Sequence, residues 1–538
     1  MSETTRSAWA VAAACGAVGW VLLPVTLARQ ELGDVLSVDA LAILLLAVAW
    51  PRGRVAALSA YVLLCGWEVV RGVGAALMDQ DPLLYDLSYL LRHFVVLGRD
   101  LLGGAFVPFV VVVLASLAVA VAVGAWLLDR GRRGPPSTWV GIALAVALVG
   151  WAAGGPVRFS AVALGHNLVQ SAQVRGEVAS MVDAPAYDAY GGLTLEAAPD
   201  LHVYIVESYG RILLGRSGPR ARWEAEAVEH QEALKAAGLH SVSGFLTAPV
   251  SGGRSWLADA TLLTGRPIAH ESVFNEVMGR VDGMTHLPGV LASAGYETVL
   301  VRPKDRARPG VRLRNDLAFE RPVFFADLGY EGRPLGWGII PDQYTLGWLR
   351  EHALGASGRP RFVFAHLVSS HAPWNDLPEA VDDWRSLGQR EGAAEVEDHG
   401  VWEELMIQLG RYQRRDGHRG KRRANSDHLQ RYGDAVSYDL DVLTRHLLAL
   451  PDRPGVFVLM GDHQPPLVAR QEDFDVPVHV VATDPELLEP FRQNGFTPGW
   501  RLPADGQPAL RMEGLMSLLL HAAAAADGEL LPVWPDGP

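Results

Sequence analysis

Val456-Phe457-Val458-Leu459-Met460-Gly461-Asp462-His463-Gln464-Pro465-Pro466 joins an unbroken apolar run to a glycine, an acid, a histidine and two prolines. Consecutive apolar residues bury both faces of a strand, and Pro465 and Pro466 cannot continue one. The strand therefore ends at the Asp-His pair. Leu201–Val206 runs in the same way into Glu207-Ser208-Tyr209, and Phe362–Val368 into Ser369-Ser370-His371-Ala372-Pro373-Trp374. Thr298–Val301 and Val478–Ala482 read as further buried strands. Helical patterns fall between the strands, at Glu224–Ala237, Leu287–Ala294, Tyr344–His352 and His428–Leu450. This alternation predicts an α/β domain with a mainly parallel sheet flanked by helices. Ligands of such sheets gather beyond the carboxyl ends of the strands, so the residues just after each strand carry the information.

Those residues share one chemistry. Glu207, the Asp462-His463 pair and Ser255, which opens a helical run after Ser251-Gly252-Gly253-Arg254, could converge on one divalent cation. Oxygen and imidazole donors suit Mn²⁺, Zn²⁺ or Mg²⁺. The cation would lower the hydroxyl pKa and create an alkoxide nucleophile, with the helix N-terminus adding donors for an anion. Each element alone has a plainer explanation: a helix-start acid, or a turn with its N-cap. Their order along the chain gives them weight together.

The first 160 residues read differently. Of 538 residues 49% are hydrophobic and 20% charged, too apolar for a disordered chain and unusually apolar for a soluble enzyme. Apolar runs at about 8–28, 36–50, 55–78, 104–128 and 137–157 predict a bundle of five membrane spans. Glu68 and Arg71, three apart, belong inside that bundle or at its boundary. The first run is read as a retained anchor, and Leu83–Val96 as an interfacial helix. Arg52 and Arg54 in one loop, with Arg130, Arg132 and Arg133 in another, put both loops in the cytoplasm. The chain then divides into a transmembrane domain (1–160), a connector with short helices (161–199) and an extracytoplasmic catalytic domain (200–538). Within the last, 378–426 is a polar surface insertion that carries the basic run Arg414–Arg423. The localisation that follows is a multi-pass protein of the inner (cytoplasmic) membrane with a periplasmic or extracellular catalytic domain. A net charge of −13 argues against nucleic acid as partner. Cys15 and Cys65 both lie in apolar runs, which leaves no disulfide framework, thiolate zinc site or CxxC redox centre.

Val203-Tyr204-Ile205-Val206-Glu207-Ser208, Gly252-Gly253-Arg254-Ser255, Ser369-Ser370-His371-Ala372-Pro373-Trp374 and Gly461-Asp462-His463 together resemble the alkaline-phosphatase superfamily. Within it they resemble the sulfatase-domain branch of lipoteichoic-acid synthases and periplasmic-glucan phosphoglycerol transferases, as does Trp337-Gly338-Ile339-Ile340-Pro341-Asp342. The resemblance covers about residues 200–485. It implies that Glu207, Ser255, Asp462 and His463 hold one divalent cation, Mn²⁺ foremost with Zn²⁺ or Mg²⁺ as alternatives. It makes Ser255 the nucleophile, where these synthases usually have threonine. His371 takes the place of a histidine that contacts the substrate, and Arg302, Arg312 and Arg314 are candidate oxyanion clamps. Thr247 and Ser251 are fallback nucleophiles in the same loop. No C/S-x-P-x-R motif stands there, so a formylglycine mechanism is not expected.

The function expected is a membrane-anchored, metal-dependent phosphotransferase of phosphoglycerol or phosphoethanolamine type, or a phosphodiesterase. Its substrate would be a membrane phospholipid headgroup, and its acceptor a glycan, a lipid or water. A sulfuric-ester or phosphate-ester hydrolase with the same machinery is the alternative. A non-catalytic lipid-binding regulator is the third reading.

Overall fold

The computed structural model describes residues 51–78, 82–87, 160–182, 198–389 and 426–525, with short breaks in the last two ranges, and scattered positions elsewhere. The chain forms two compact units, residues 1–175 with 399–421, and residues 176–398 with 422–538.

In the first unit α1 (Arg54–Met78) covers the third apolar run. Glu68 Oε2 and Arg71 Nη2 meet at 3.0 Å within it, both nearly buried, as their spacing predicts. No helix among the described residues is long and apolar enough to cross a membrane. The five-span bundle is therefore not what these residues display. In α1 the Glu68–Arg71 ion pair interrupts the apolar run, and the runs at 8–28, 36–50, 104–128 and 137–157 fall wholly or largely outside the described residues. The connector differs as well. Its first part is one 23-residue helix, α2 (Ser160–Val182), because no proline interrupts a stretch rich in Ala, Val, Leu and Gln. Only the start of the expected interfacial helix is described. There Asn167 of α2 accepts the Leu84 N–H at 2.8 Å and donates to Pro82 O at 3.0 Å.

The second unit is built on one nine-stranded sheet in the order β4-β3-β5-β1-β6-β7-β2-β8, with β9 beside β2. The strands are β1 (Asp200–Val206), β2 (His240–Thr247), β3 (Glu297–Arg302), β4 (Arg321–Phe324), β5 (Arg361–Leu367), β6 (Gly455–Gly461), β7 (Asp475–Ala482), β8 (Thr497–Pro498) and β9 (Leu510–Arg511). From β4 to β6 all pairings are parallel, while β7 runs against both β6 and β2, and β8 against β2. The sheet is thus mixed, and the parallel block is the part that carries the motifs. β2 escaped the sequence reading because His240-Ser241-Val242-Ser243-Gly244 is too polar for a buried strand. It is nevertheless covered, with Phe496 packed on Gly244 so that a Cβ there would sit 3.0 Å from the ring.

Helices α3 (Ser217–Ala236), α7 (Asp342–Trp348) and α8 (Ser426–Leu448) share one core with Tyr204, Val206, Ala365, Leu367 and Leu459 of the sheet. Helices α4 (Ser255–Thr264), α5 (Glu271–Met278), α6 (Leu287–Ser293) and α9 (Gly514–Ala525) complete the unit. The alternation of residues along β5 turns His366 away from the first core, towards α4. The polar insertion is only partly described. Its first turns do not stand off as a surface lid: Trp384 is buried, edge-on to Tyr344 at 5.1 Å, because an indole ring that size is driven into the core. Residues 390–425 lie outside the described residues.

Gly461 ends β6 against the chain that follows β1. A Cβ at this position would lie 1.9 Å from Tyr209 O, a backbone atom that cannot step aside alone. Gly461→Ala should cost about 1–3 kcal/mol as over-packing. It should also lower affinity for divalent cations by parting the two loops. A lowered melting temperature and calorimetric titration with Mn²⁺ would check both.

Candidate active site

Strand register decides where the side chains emerge. Val206 pairs with Leu367 on one side and with Gly461 on the other, so Glu207, Val368 and Asp462 leave the sheet at one level. Asp462 Oδ1 then accepts two backbone N–H groups, from Ser208 at 2.7 Å and from His463 at 2.9 Å. That oxygen locks the two loops together, with Ser208 held in the left-handed region at φ 60°. Asp462 Oδ2 is buried with no hydrogen-bond partner.

His463 Nδ1 lies 2.9 Å from Gln464 O, a carbonyl that can only accept. Nδ1 therefore carries a proton, and in the neutral ring Nε2 presents its lone pair to the cluster. Ser255 Oγ lies 3.1 Å from Glu207 Oε2 and 3.3 Å from His463 Nε2. Donor atoms of Glu207, Asp462 and His463 all fall within 4.8 Å of one another. Two carboxylates, one of them with an orphaned buried oxygen, together with one imidazole nitrogen and a hydroxyl make a donor set that a divalent cation fits. The structure brings together all four residues named from the sequence.

Three further residues reach this cluster and were missed. His366 Nε2 is 3.0 Å from Glu207 Oε2, and its Nδ1 is 3.2 Å from Asp259 Oδ2. Lys304 Nζ is 3.3 Å from Glu207 Oε2. Burial opposes charge on all of them, and the partners prevail. The His366 imidazole, desolvated and beside Lys304, is nevertheless lifted to about 9 by Asp259 and Glu207. Lys304 is raised despite burial by Glu207, Asp259 and Asp462. Glu207 is held well below the usual carboxylate range, against its burial, by Lys304, His366 and His463. Asp462 moves up, through burial and its proximity to Glu207. Signals for the three existed. Asp259 is a lone acid in an apolar helix, one turn after Ser255, and His366 is a lone histidine in an apolar strand. Lys304 stands two residues beyond the end of β3.

The expected substrate residues divide. His371 lies on the loop after β5, beside the cluster. Its Nδ1 is 2.6 Å from Ala372 O, so this nitrogen also donates to a carbonyl. Burial drops its pKa to about 4, although Glu207 works to raise it. Arg302 is no open clamp, because Nη2 pairs with Asp259 Oδ2 at 3.3 Å. Arg314 pairs with Asp316 at 2.7 Å and lies over the Phe274 ring. Arg312 lies outside the described residues. Of the fallback nucleophiles, Thr247 donates to Asp475 Oδ1 at 2.9 Å instead of joining the cluster.

No family model matches the chain, and no curated protein does. Several solved structures are similar to this chain at low identity. One is a protein in the alkaline phosphatase superfamily from Vibrio parahaemolyticus, with 16% identity over 57% of this chain and 69% of that one, at a TM-score of 0.34. Another is the lipoteichoic acid synthase LtaP from Listeria monocytogenes, with 16% identity over 62% of this chain and 77% of that one, at a TM-score of 0.36. A third is the lipooligosaccharide phosphoethanolamine transferase A from Neisseria meningitidis, with 12% identity over 85% of this chain and 82% of that one, at a TM-score of 0.43.

The geometry separates ion-holding residues from their neighbours. Asp462→Ala and His463→Ala should each weaken Mn²⁺ binding by about 100-fold or more. His371→Ala should leave that affinity within about threefold while slowing turnover by about 10²–10⁴-fold. Isothermal titration of Mn²⁺ into each variant reads the first effect. Loss of the ion from His371→Ala would make His371 a ligand.

Proposed function

We propose that this protein is a metal-dependent phosphotransferase or phosphodiesterase in which Ser255 attacks the phosphorus of a lipid headgroup ester. One observation carries the reading: the Ser255 hydroxyl lies between the Glu207 carboxylate and the inward nitrogen of His463, at the first residue of α4. A divalent cation held by Glu207, Ser255, Asp462 and His463, with Mn²⁺ as first choice and Zn²⁺ or Mg²⁺ as alternatives, would stabilise the Ser255 alkoxide and the charge that builds on the ester.

The chain's own groups do the rest. Ser255 Oγ bonds to phosphorus while the bond to the leaving alcohol breaks, and the hydroxyl proton departs on that alcohol, which leaves a phosphoserine. An acceptor alcohol or water then attacks the phosphorus and releases Ser255. His371 suits that second step. Since Nδ1 donates to Ala372 O, the neutral ring accepts a proton through Nε2. That assigns it to the acceptor's proton. Lys304 supplies a buried ammonium beside Glu207 for a non-bridging oxygen of the substrate, the task expected of Arg302. The apolar runs and arginine-rich loops of the first 160 residues support a membrane anchor, an outward-facing catalytic unit and a phospholipid donor of phosphoglycerol or phosphoethanolamine type.

Ser255→Ala should abolish both turnover and the covalent intermediate, with the fold retained. Incubation with labelled phosphatidylglycerol or phosphatidylethanolamine, followed by mass spectrometry of the Ser255 peptide, tests this directly. A labelled headgroup on a glycan or lipid indicates transfer, and release to water indicates hydrolysis. Turnover of an aryl sulfate in place of the phosphodiester would favour the sulfatase alternative. Lys304→Met should raise KM for the phosphodiester by about 10–100-fold, the scale of a lost charged hydrogen bond. Its Mn²⁺ affinity should be unchanged or tighter, since a nearby cation is gone.

A further inference from the structure

Behind the His371 loop lie two acids that the mechanism above does not use. Asp342 begins α7 and Asp439 stands in the middle of α8, and neither has any exposed surface. Asp342 grips the chain where β5 ends. Val368 N–H lies 2.9 Å from each of its oxygens, and Ser369 N–H lies 2.6 Å from Oδ2. Ser369 Oγ in turn accepts the Asp342 N–H at 3.1 Å. His371 follows at once, its N–H closing a turn onto Val368 O at 3.0 Å. Asp439 is set against Asp342 and against the hydroxyl and N–H of Ser370, and neither of its oxygens makes a well-formed hydrogen bond to them. The other ionisable group set against the pair is the Tyr438 phenol, which burial keeps neutral and whose oxygen accepts the Gln343 N–H.

We propose that Asp342 and Asp439 share one proton, resident on Asp439, and that this acid–carboxylate pair is the positioning element for His371. Two buried carboxyls in contact cannot both ionise. The N–H donors favour the anion on Asp342 and leave the proton to Asp439, whose O–H then donates to Asp342. This satisfies the Asp439 oxygen that would otherwise be orphaned. Burial and the neighbouring Asp342 raise Asp439 well above the ordinary carboxyl range, in agreement with that placement. The anchored segment continues to Ser370, whose hydroxyl donates to Glu207 O at 2.7 Å and whose carbonyl accepts the Trp374 indole N–H at 2.6 Å. The pair thereby fixes where His371 stands relative to Glu207. The role of His371 rests on the function proposed above, whereas the shared proton does not.

The two asparagine variants should behave oppositely. In Asp439→Asn the amide N–H replaces the acid O–H towards Asp342. In Asp342→Asn one acceptor oxygen becomes a donor facing donors. Full-length variants are assayed with bis(p-nitrophenyl) phosphate and Mn²⁺, and in parallel with diethyl pyrocarbonate, with modification of His371 read by mass spectrometry. Asp439→Asn should keep kcat and the His371 modification rate within about threefold of the parent. Asp342→Asn should lower kcat by about 100-fold with KM little changed, the usual result of a displaced group. It should also speed modification of His371 while retaining Mn²⁺ binding.

The pH dependence of melting supplies a test free of activity. Asp439 has a raised pKa in the fold, so the folded chain keeps a proton that the unfolded chain has lost. Stability is therefore lost as pH rises above the ordinary carboxyl range towards the folded pKa. Asp439→Asn lacks this loss, so its melting temperature should gain on the parent's between about pH 5 and about pH 9. A constant difference overturns the shared proton. Equal damage in the two asparagine variants, in kcat or in His371 reactivity, overturns the positioning role. A parent inert towards the phosphodiester counts against the proposed function and leaves the melting and modification outcomes to decide the pair.

Discussion

Three parallel strands ending at one level are the constraint on which this site depends. β5, β1 and β6 are neighbours, and their register sets Leu367, Val206 and Gly461 side by side. Each chain then leaves the sheet with its first polar residues at the same height, so groups more than 250 residues apart in sequence meet without a long reach. The Ser208 N–H bond to Asp462 is one such contact, with a separation of 254. Parallel strands impose this because each must return by a crossover, which puts all their carboxyl ends on one edge. Gly461 serves the same constraint: the chain after β1 passes where a side chain would stand.

Such convergence concentrates charge in a dry place. Glu207, Asp259 and Asp462 are all buried, and desolvation of three carboxylates costs far more than packing could offset. Lys304, His366 and Arg302 supply the balance, pairing with Glu207 and Asp259 at 3.0–3.3 Å. Asp462 Oδ2 is left without a hydrogen bond, and that imbalance is what a bound cation would correct. Arg302 belongs to this internal balance, with its Nη2 held by Asp259. Lys304, two residues further on, lies against the carboxylate that faces Ser255.

What was legible in the sequence follows from the same geometry. Residues immediately after continuous apolar strands are forced to the sheet edge, so Glu207, His371 and Asp462-His463 could be named from their neighbours alone. His366 and Asp259 were harder to read, since each is a lone polar residue inside an element whose pattern reads as core, and their mutual contact across β5 and α4 is what singles them out. Asp342 and Asp439 were opaque for a related reason, since a pair that shares a proton shows no sequence spacing. β2 was hidden by its polar residues. Its Ser243 is buried between His479 and Gly499 O, satisfied by partners that only the folded sheet supplies. The direction of β7 was equally unreadable, for an apolar run states burial and not polarity.

The turn before Ser255 ties that residue to the rest of the site. Gly252, Gly253 and Arg254 all have positive φ, at 78°, 143° and 69°. Two glycines adopt this without strain, whereas the left-handed Arg254 costs about 1 kcal/mol or more. That cost is borne because three such residues in succession reverse the chain and start α4 at the serine itself. The Gly252 N–H donates to Gln464 O at 2.9 Å, and the same carbonyl receives His463 Nδ1–H. One carbonyl oxygen thus fixes both the turn that delivers Ser255 and the ring orientation of His463. Ser255 and the His463 imidazole are thereby held to each other, and a displacement of either loop must break a hydrogen bond to that shared carbonyl.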